Sequence, residues 1–574
     1  MSAAMQGLVR LPVWRGRFVL GLLLLAFGVL VARALYLQAF RTDFLQEKGD
    51  ARYSRVIEVP ATRGRILDRH GDALAVSTPV KSIWAIPADA QLSRAQRASL
   101  SRALGMEPGE LQRKLAEEQR DFVYLKRQVS PQTADSVAAL GLQGIHQHRE
   151  FRRYYPGGEV TAHVIGFTDV EDAGQEGVEL AFQQHLRGKP GSRRVIRDRR
   201  GQVVEDVESI RSAQDGRDLA LSIDGKLQSL AFGALKAAVS QHRAKAGALV
   251  ALDVRTGEIL ALANVPSYNP NNRARLTGAQ LRNRAVTDLF EPGSTLKPFT
   301  VALALETGKV RPSTVVATDA GRLVLSNYTI RDIHPAAALT VAEVIQKSSN
   351  VGSAKLALAM PREAMWDLYR RVGFGEVPEL GFPGAAAGRV RHYRSWRPIE
   401  QATMAYGHGI SLSLVQLARA YTVFARDGEL VPLTLVKTST ATSGEKVLST
   451  ETARAVRAML ELAVQPGGTG PRARIMGWRV AGKTGTAHKP ENGSYAADKY
   501  LSSFVGFAPA SAPRLVIAVM IDEPAAGQHY GGAVAAPVFA QVMQGALRML
   551  NAPHDAPLEP VPFPGEGEEL KEST

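Results

Sequence analysis

Three short stretches carry side chains able to do covalent chemistry. The first, Glu291-Pro292-Gly293-Ser294-Thr295-Leu296-Lys297, sets an amine three residues after a hydroxyl. Leu296, Phe299 and Leu303 recur at helical spacing, Gly308 can end the helix, and Pro298 fits a helix in its first turn. Ser294 is therefore expected at a helix N-terminus, where free N–H groups and the dipole favour developing negative charge. Lys297 shares its face. A serine hydroxyl needs a base within reach, and a neutral lysine can serve. Burial and a second cation nearby would both favour the neutral amine. Alone the pair is weak evidence, because Ser-x-x-Lys recurs roughly twice by chance in a chain this long.

The second stretch is Lys347-Ser348-Ser349-Asn350. Thr340 and Glu343 form a candidate capping box for a helix leading in, and Val351 to Leu358 reads as a helix leading out. Ser348 and Asn350 then stand two apart at an extended helix–helix corner. A hydroxyl there can relay a proton, and an amide can bind a substrate carbonyl. Ordinary helix-cap chemistry explains the same residues. The third stretch is Lys483-Thr484-Gly485-Thr486. Gly477 to Thr484 formally satisfies the phosphate-loop pattern, which demands a strand before it and a helix after it. Gln465 to Gly470 is a loop, and Thr486 to Gly493 cannot be a helix. A strand edge fits better, with Lys483 for a carboxylate, hydroxyls beside it, and Gly485 admitting a ligand close to the backbone.

Elements that could position these residues surround them. Ala248–Asp253 and Glu258–Asn264 read as strands joined by a turn at Arg255-Thr256-Gly257. Leu515–Ile521 and Phe504–Ala508 read as a second pair, and Ala535–Leu550 as a helix. Strands at both ends of a region with helices between them imply α+β with an antiparallel sheet. Upstream, Tyr53–Pro60 alternates like a strand, and Arg63 to Gly71 is a turn-rich loop with fixed charges. Ser93–Glu118 is polar and helical, Tyr155 to Gly158 is a turn, and Ser192–Arg200 is strongly basic. The tail from His554 to Thr574 is rich in Pro and Glu and is expected to be disordered.

The 574 residues carry no cysteine, which excludes disulfides, thiolate nucleophiles and cysteine-ligated zinc. The net charge of +15 admits nucleic acid, anionic lipid or an anionic polymer as a neighbour, or charge spread over a large surface. Phe18 to Phe40 is apolar but for Arg33, long enough to cross a bilayer, and preceded by Arg10, Arg15 and Arg17. The positive-inside rule puts residues 1–17 in the cytoplasm and everything after Phe40 outside. The competing reading is a cleaved signal peptide at Ala32-Arg33-Ala34, against which the apolar run continues past the cut.

The order Ser-x-x-Lys, Ser-x-Asn, Lys-Thr-Gly marks penicillin-recognising serine enzymes. The chain after Arg17 resembles class B penicillin-binding proteins, the monofunctional peptidoglycan transpeptidases. The resemblance extends to Arg63–Arg69, Tyr155-Pro156-Gly157, His163–Gly166, Gly174–Gly191, Asn283–Asp288 and Gly532–Phe539. Asn350 in Lys347–Gly352, and Thr287–Ser294, are similar to the cell-division (FtsI) type. Gly71 to Arg149 carries no recognisable signature.

This resemblance implies a fold and a layout: cytoplasmic residues 1–17, a transmembrane anchor at 18–40, an elongated mixed α/β pedestal domain at 41–221, a serine-transferase domain at 222–553 with helices covering an antiparallel sheet, and the tail at 554–574. It implies that Ser294 attacks a D-alanyl-D-alanine stem peptide with Lys297 as base, and that Ser348 returns a proton to the leaving group. The Ser294 and Thr486 amides would form the oxyanion hole. Lys483, Thr484 and Thr486 would hold the terminal carboxylate, Gly485 between them would line the same substrate site, and Asn350 would bind the peptide amide. Implied partners are peptidoglycan stem peptides, β-lactams, the membrane, an FtsW-type glycan polymerase and other division proteins, with no nucleic acid, metal or cofactor. The implied location is the inner membrane at the septum, with the catalytic domain periplasmic. A β-lactamase or antibiotic sensor shares the acylation and differs in deacylation; a non-enzymatic scaffold would not need the intact Ser294, Lys297 and Lys483.

Overall fold

The computed structural model describes residues 12–40, 54–116, 120, 122–197, 203–491 and 493–559. One helix, Val13–Phe40, begins five residues before the expected span, and its Val13–Gln38 stretch is long and apolar enough to cross a membrane. The described residues fall into two compact units whose segments interleave along the chain.

The smaller unit comprises 80–150 and 189–215 together with residues up to 61. Ser54–Val59, Gly191–Arg197 and Val203–Arg211 make a three-stranded antiparallel sheet. The rest of the basic stretch expected at Ser192–Arg200 lies outside the described residues. The polar helical stretch at Ser93–Glu118 is two helices, Arg94–Leu104 and Pro108–Leu115. Its last residues, 117 and 118, lie outside the described residues. Ser93 and Gln96 cap the first helix reciprocally, and Gly105, at φ 57°, stops it in a left-handed turn. Leu100, Leu104 and Leu111 on these helices pack against Ile83 and Leu125 of a strand pair.

The larger unit comprises 62–79, 151–188 and the chain from 216 onward. The segments Arg63–Arg69, Tyr155–Gly157, His163–Gly166 and Gly174–Leu186 therefore all belong to the unit that holds the catalytic motifs. Its centre is an antiparallel sheet of β1 (Ala246–Asp253), β2 (Ile259–Val265), β3 (Ala481–Glu491), β4 (Ser494–Ala508) and β5 (Leu515–Asp522), in the order β2-β1-β5-β4-β3. The four strands read from apolar runs are all present, and Gly257 takes the positive φ of the β1–β2 turn.

Both sheet faces are covered, so β1 and β5 are apolar at every position except Gly247 and their final aspartates, rather than alternating. Helices α1 (Gly225–Gln241) and α5 (Ala536–Met549) pack on one face against Leu249, Ala251, Ile517 and Val519. Between them in sequence, α2 (Lys297–Glu306), α3 (Asn350–Leu358) and α4 (Leu414–Ala425) belong to the layer on the other face, with Ala248, Val250, Val505 and Ala518. This is the helix-covered antiparallel sheet expected.

The tail departs from expectation at its start. His554 packs on the Trp478 ring, and the Asp555 carboxylate accepts from the Arg479 amide at 2.7 Å and the Ser511 hydroxyl at 2.7 Å. These bonds hold the chain to the domain beyond the expected boundary at 553. Residues 560–574 lie outside the described residues.

Candidate active site

Ser294 lies in a 3₁₀ turn, Gly293–Leu296, that runs directly into α2. Pro298 occupies the first turn of α2, as its missing N–H requires. Gly293 enters the turn at φ 56°, a conformation glycine adopts without steric cost. The turn is pinned from behind: Tyr421 on α4 donates to the Thr295 carbonyl at 2.7 Å, and Thr295 donates to the Pro292 carbonyl at 2.7 Å.

Lys297 Nζ lies 2.9 Å from Ser294 Oγ, 2.9 Å from Ser348 Oγ and 2.6 Å from the Ser348 carbonyl. Lys483 Nζ approaches Ser348 Oγ from the sheet side at 3.0 Å. One hydroxyl thus bridges two lysine amino groups, both residues 0% exposed. The first residues of all three motifs, Ser294, Ser348 and Lys483, converge.

The corner carrying Ser348 differs from the extended one expected. Thr340 and Glu343 do form a capping box, at 3.2 and 2.8 Å, for the helix Val341–Gln346. Ser348 then takes φ 60°, the left-handed position that usually terminates a helix with glycine. A serine held there stores about 1–3 kcal/mol of strain. Ser349 is the extended residue and caps α3 through the Gly352 amide at 2.9 Å. Asp332 fixes the turn: its carboxylate accepts from Ser349 Oγ at 2.6 Å, the Asn350 amide at 2.6 Å and the Val351 amide at 3.0 Å. Asn350 Nδ2 donates to the Arg331 carbonyl at 3.3 Å, while its buried Oδ1 has no hydrogen-bond partner among the described residues.

Lys483 to Thr486 lie on β3, the edge strand, and the helix that a phosphate loop needs is absent from its place. Gly485 is explained differently from the expectation. A Cβ there would meet Ser503 Oγ at 2.4 Å and the Pro292 carbonyl at 2.9 Å, so the space is taken by β4 and by the turn around Ser294. Thr484 Oγ1 lies 2.7 Å from Thr469 Oγ1 and 3.2 Å from Lys483 Nζ. Thr486 Oγ1 accepts from the Gly531 amide at 3.0 Å.

Several residues of the site carry no sequence signal. Thr469 reaches Lys483 at 3.4 Å from a loop whose only hint is its flanking glycines. Glu291, three residues before the nucleophile, accepts from the Gly409 amide at 2.8 Å and from Tyr495 at 2.9 Å; burial raises its carboxyl above the usual range. His408 is pushed down to about 4 by desolvation and by Lys297 and His488, so its imidazole is neutral near pH 7. Next to it, a Cβ on Gly407 would strike the Gly293 carbonyl at 2.2 Å, so the two backbones touch.

Residues 247–544 match the penicillin binding protein transpeptidase domain, and residues 58–221 the penicillin-binding protein dimerisation domain. The probable peptidoglycan D,D-transpeptidase PenA of Neisseria gonorrhoeae is 46% identical over 545 residues, 94% of each chain. The peptidoglycan D,D-transpeptidase FtsI of Escherichia coli K12 is 44% identical over 549 residues, covering 95% of this chain and 93% of that one. Among solved structures, the apo transpeptidase domain of Burkholderia pseudomallei penicillin-binding protein 3 is 50% identical with a TM-score of 0.55, covering 59% of this chain and 98% of that chain. With a serine, two buried lysines and a bridging hydroxyl in its larger unit and both domains in sequence, the chain belongs to the penicillin-binding protein transpeptidase family.

Proposed function

We propose that this chain is a membrane-anchored peptidoglycan D,D-transpeptidase that crosslinks stem peptides through an acyl-enzyme on Ser294. The observation that carries this reading is Lys297 Nζ at 2.9 Å from both the Ser294 and Ser348 hydroxyls. Burial and the neighbouring Lys483 both work against a charge on Lys297, the condition a general base needs.

Ser294 Oγ attacks the carbonyl carbon of the penultimate D-Ala and passes its proton to Lys297. The backbone amides of Ser294 and Thr486 receive the oxyanion. The C–N bond to the terminal D-Ala then breaks, and the leaving amine takes a proton relayed from Lys297 through Ser348. Lys483 and Thr484 hold the terminal carboxylate, and Thr486 lines the same strand. Asn350 Oδ1, buried and unsatisfied, accepts from a donor-peptide amide. The amine of a second stem peptide displaces Ser294 and closes the crosslink. β-Lactams acylate the same hydroxyl.

The likeness to FtsI supports a place at the division septum beside an FtsW-type polymerase. The Val13–Gln38 helix supports an inner-membrane anchor with the catalytic unit in the periplasm. The layout that accompanies this reading is an anchor at 18–40, a pedestal domain at 41–221 and a transpeptidase domain from 222. A fluorescent penicillin, intact mass and peptide mapping test the chemistry. A stable adduct on Ser294, absent in Ser294→Ala, is the expected result; a folded wild type that takes no label would leave a scaffold as the better reading.

A further inference from the structure

A cavity of about 640 Å³, within the size range of small-ligand sites, lies beside the catalytic residues in the larger unit. One wall is Asp288–Glu291, which leads into the nucleophile turn; another is Ala487–Pro490, which continues β3 beyond Thr486. Arg389, Arg391 and Gly409–Ser411 close it. Its floor is apolar and buried, with Phe290, Ile410, Leu501 and Met520.

The charges at its rim are committed, with one exception. Asp288 holds Arg282 at 2.6 Å and Arg284 at 3.0 Å. Asp522 holds Lys489 at 2.6 Å, and Arg391 holds Glu400 at 2.8 Å. Glu291 takes the Gly409 amide and Tyr495. Arg389 is exposed, and its backbone is fixed by two hydrogen bonds with Ser411, at 2.7 and 3.1 Å. Among the described residues its guanidinium has neither a hydrogen bond nor an ion pair. An uncommitted guanidinium over an apolar floor presents a donor fork suited to a carboxylate on a short apolar body.

We propose that this cavity binds a carboxylate of the second, acceptor stem peptide, with Arg389 as its anion partner. The inference rests on the transpeptidase reading above. The residues of the three motifs account for the donor alone, whose terminal carboxylate has its own place at Lys483 and Thr484. Resolution of the acyl-enzyme needs another peptide held close to Ser294. The cavity shares the segments before Ser294 and after Thr486, and the cation at its rim that is uncommitted among the described residues, Arg389, matches an acidic peptide.

The test uses the full chain in detergent with Ser294 blocked by penicillin, and a soluble stem peptide that lacks D-Ala-D-Ala and so cannot serve as donor. The blocked wild type is expected to bind this peptide. Affinity should fall at least about tenfold in Arg389→Ala, as expected for loss of a charge-assisted pair, and partly recover in Arg389→Lys. Both variants should be acylated at the wild-type rate, which also shows that they fold. Equal affinity in wild type and Arg389→Ala, no binding at all, or binding abolished by the penicillin block would each overturn the proposal. Absence of the Ser294 adduct in the first step would instead sink the transpeptidase reading.

Discussion

Arg63 and Arg153 converge on a carboxylate, that of Glu179, each at 2.6 Å; Lys297 and Lys483 converge on a hydroxyl, that of Ser348, at 2.9 and 3.0 Å. Both clusters are buried in the larger unit, and both bring two cations to one oxygen-bearing side chain. The arginines present planar guanidinium forks to the carboxylate, a geometry that suits a fixed clamp. A lysine can shed its proton, and a hydroxyl offers it only a dipole. Desolvation and mutual repulsion are then relieved by deprotonation. The first arrangement holds segments together; in the proposed mechanism the second stores a proton vacancy beside the nucleophile.

Substitutions that exchange these properties should separate the two clusters. Lys297→Met removes the proposed base and leaves an apolar side chain of similar length in its buried place. Acylation of Ser294 by a chromogenic β-lactam should fall by about 10²–10⁴-fold, with no loss of melting temperature. Glu179→Gln should do the reverse, leaving two buried arginines on a neutral amide. A cost of about 3–5 kcal/mol in stability is expected from breaking a buried pair, with the acylation rate of the folded protein unchanged. An activity loss in Glu179→Gln without destabilisation would erase the distinction.

His163 gauges what desolvation does without an opposing charge. Burial pushes it down to about 4, opposed by its hydrogen bond to the Gln280 carbonyl and aided by Arg284. Its folded pKa lies below the unfolded one, so between about pH 6.5 and 4 the unfolded chain binds more protons. This contribution is full above the unfolded pKa and lost as pH falls. Stability should drop by about 2 kcal/mol between pH 7 and pH 5 on this account, and His163→Gln should flatten that slope in denaturant titrations. The smallest effect expected is Asp332→Ala, which removes the carboxylate that accepts from the capping Ser349 and from the first two amides of α3. It should cost about 1 kcal/mol and, unlike Glu179→Gln, also slow acylation, because Asp332 holds the turn between Ser348 and Asn350.

The nucleophile, both lysines and the bridging hydroxyl were legible because each motif is local: helix phase, proline position and strand edge are written in a few adjacent residues. The strands of the larger sheet were legible because burial on both faces makes long apolar runs. The Arg63–Glu179 bond was not, since its partners stand 116 residues apart and nothing local marks them as a pair. Thr469 and Asp332 reach the site across loops in the same way. Ser348 misled because a left-handed turn closed by serine rather than glycine defies local preference. The segment from Gly71 to Arg149 offered amphipathic helices but no motif, and most of it builds the smaller unit.

The strand order β2-β1-β5-β4-β3 sets a timetable for folding. β1 and β2, at 246–265, must wait for β5, at 515–522, to supply the neighbour that closes their open edge. Some 250 residues are synthesised between the two, so the closing contact is highly non-local, a property that slows folding. Throughout that interval β1, paired with β2 on one side only, presents an open and largely apolar edge on the other, the kind of edge that invites aggregation. The nucleophile turn is made early, but Lys483 and the sheet that carries it can be seated only when almost the whole chain has emerged.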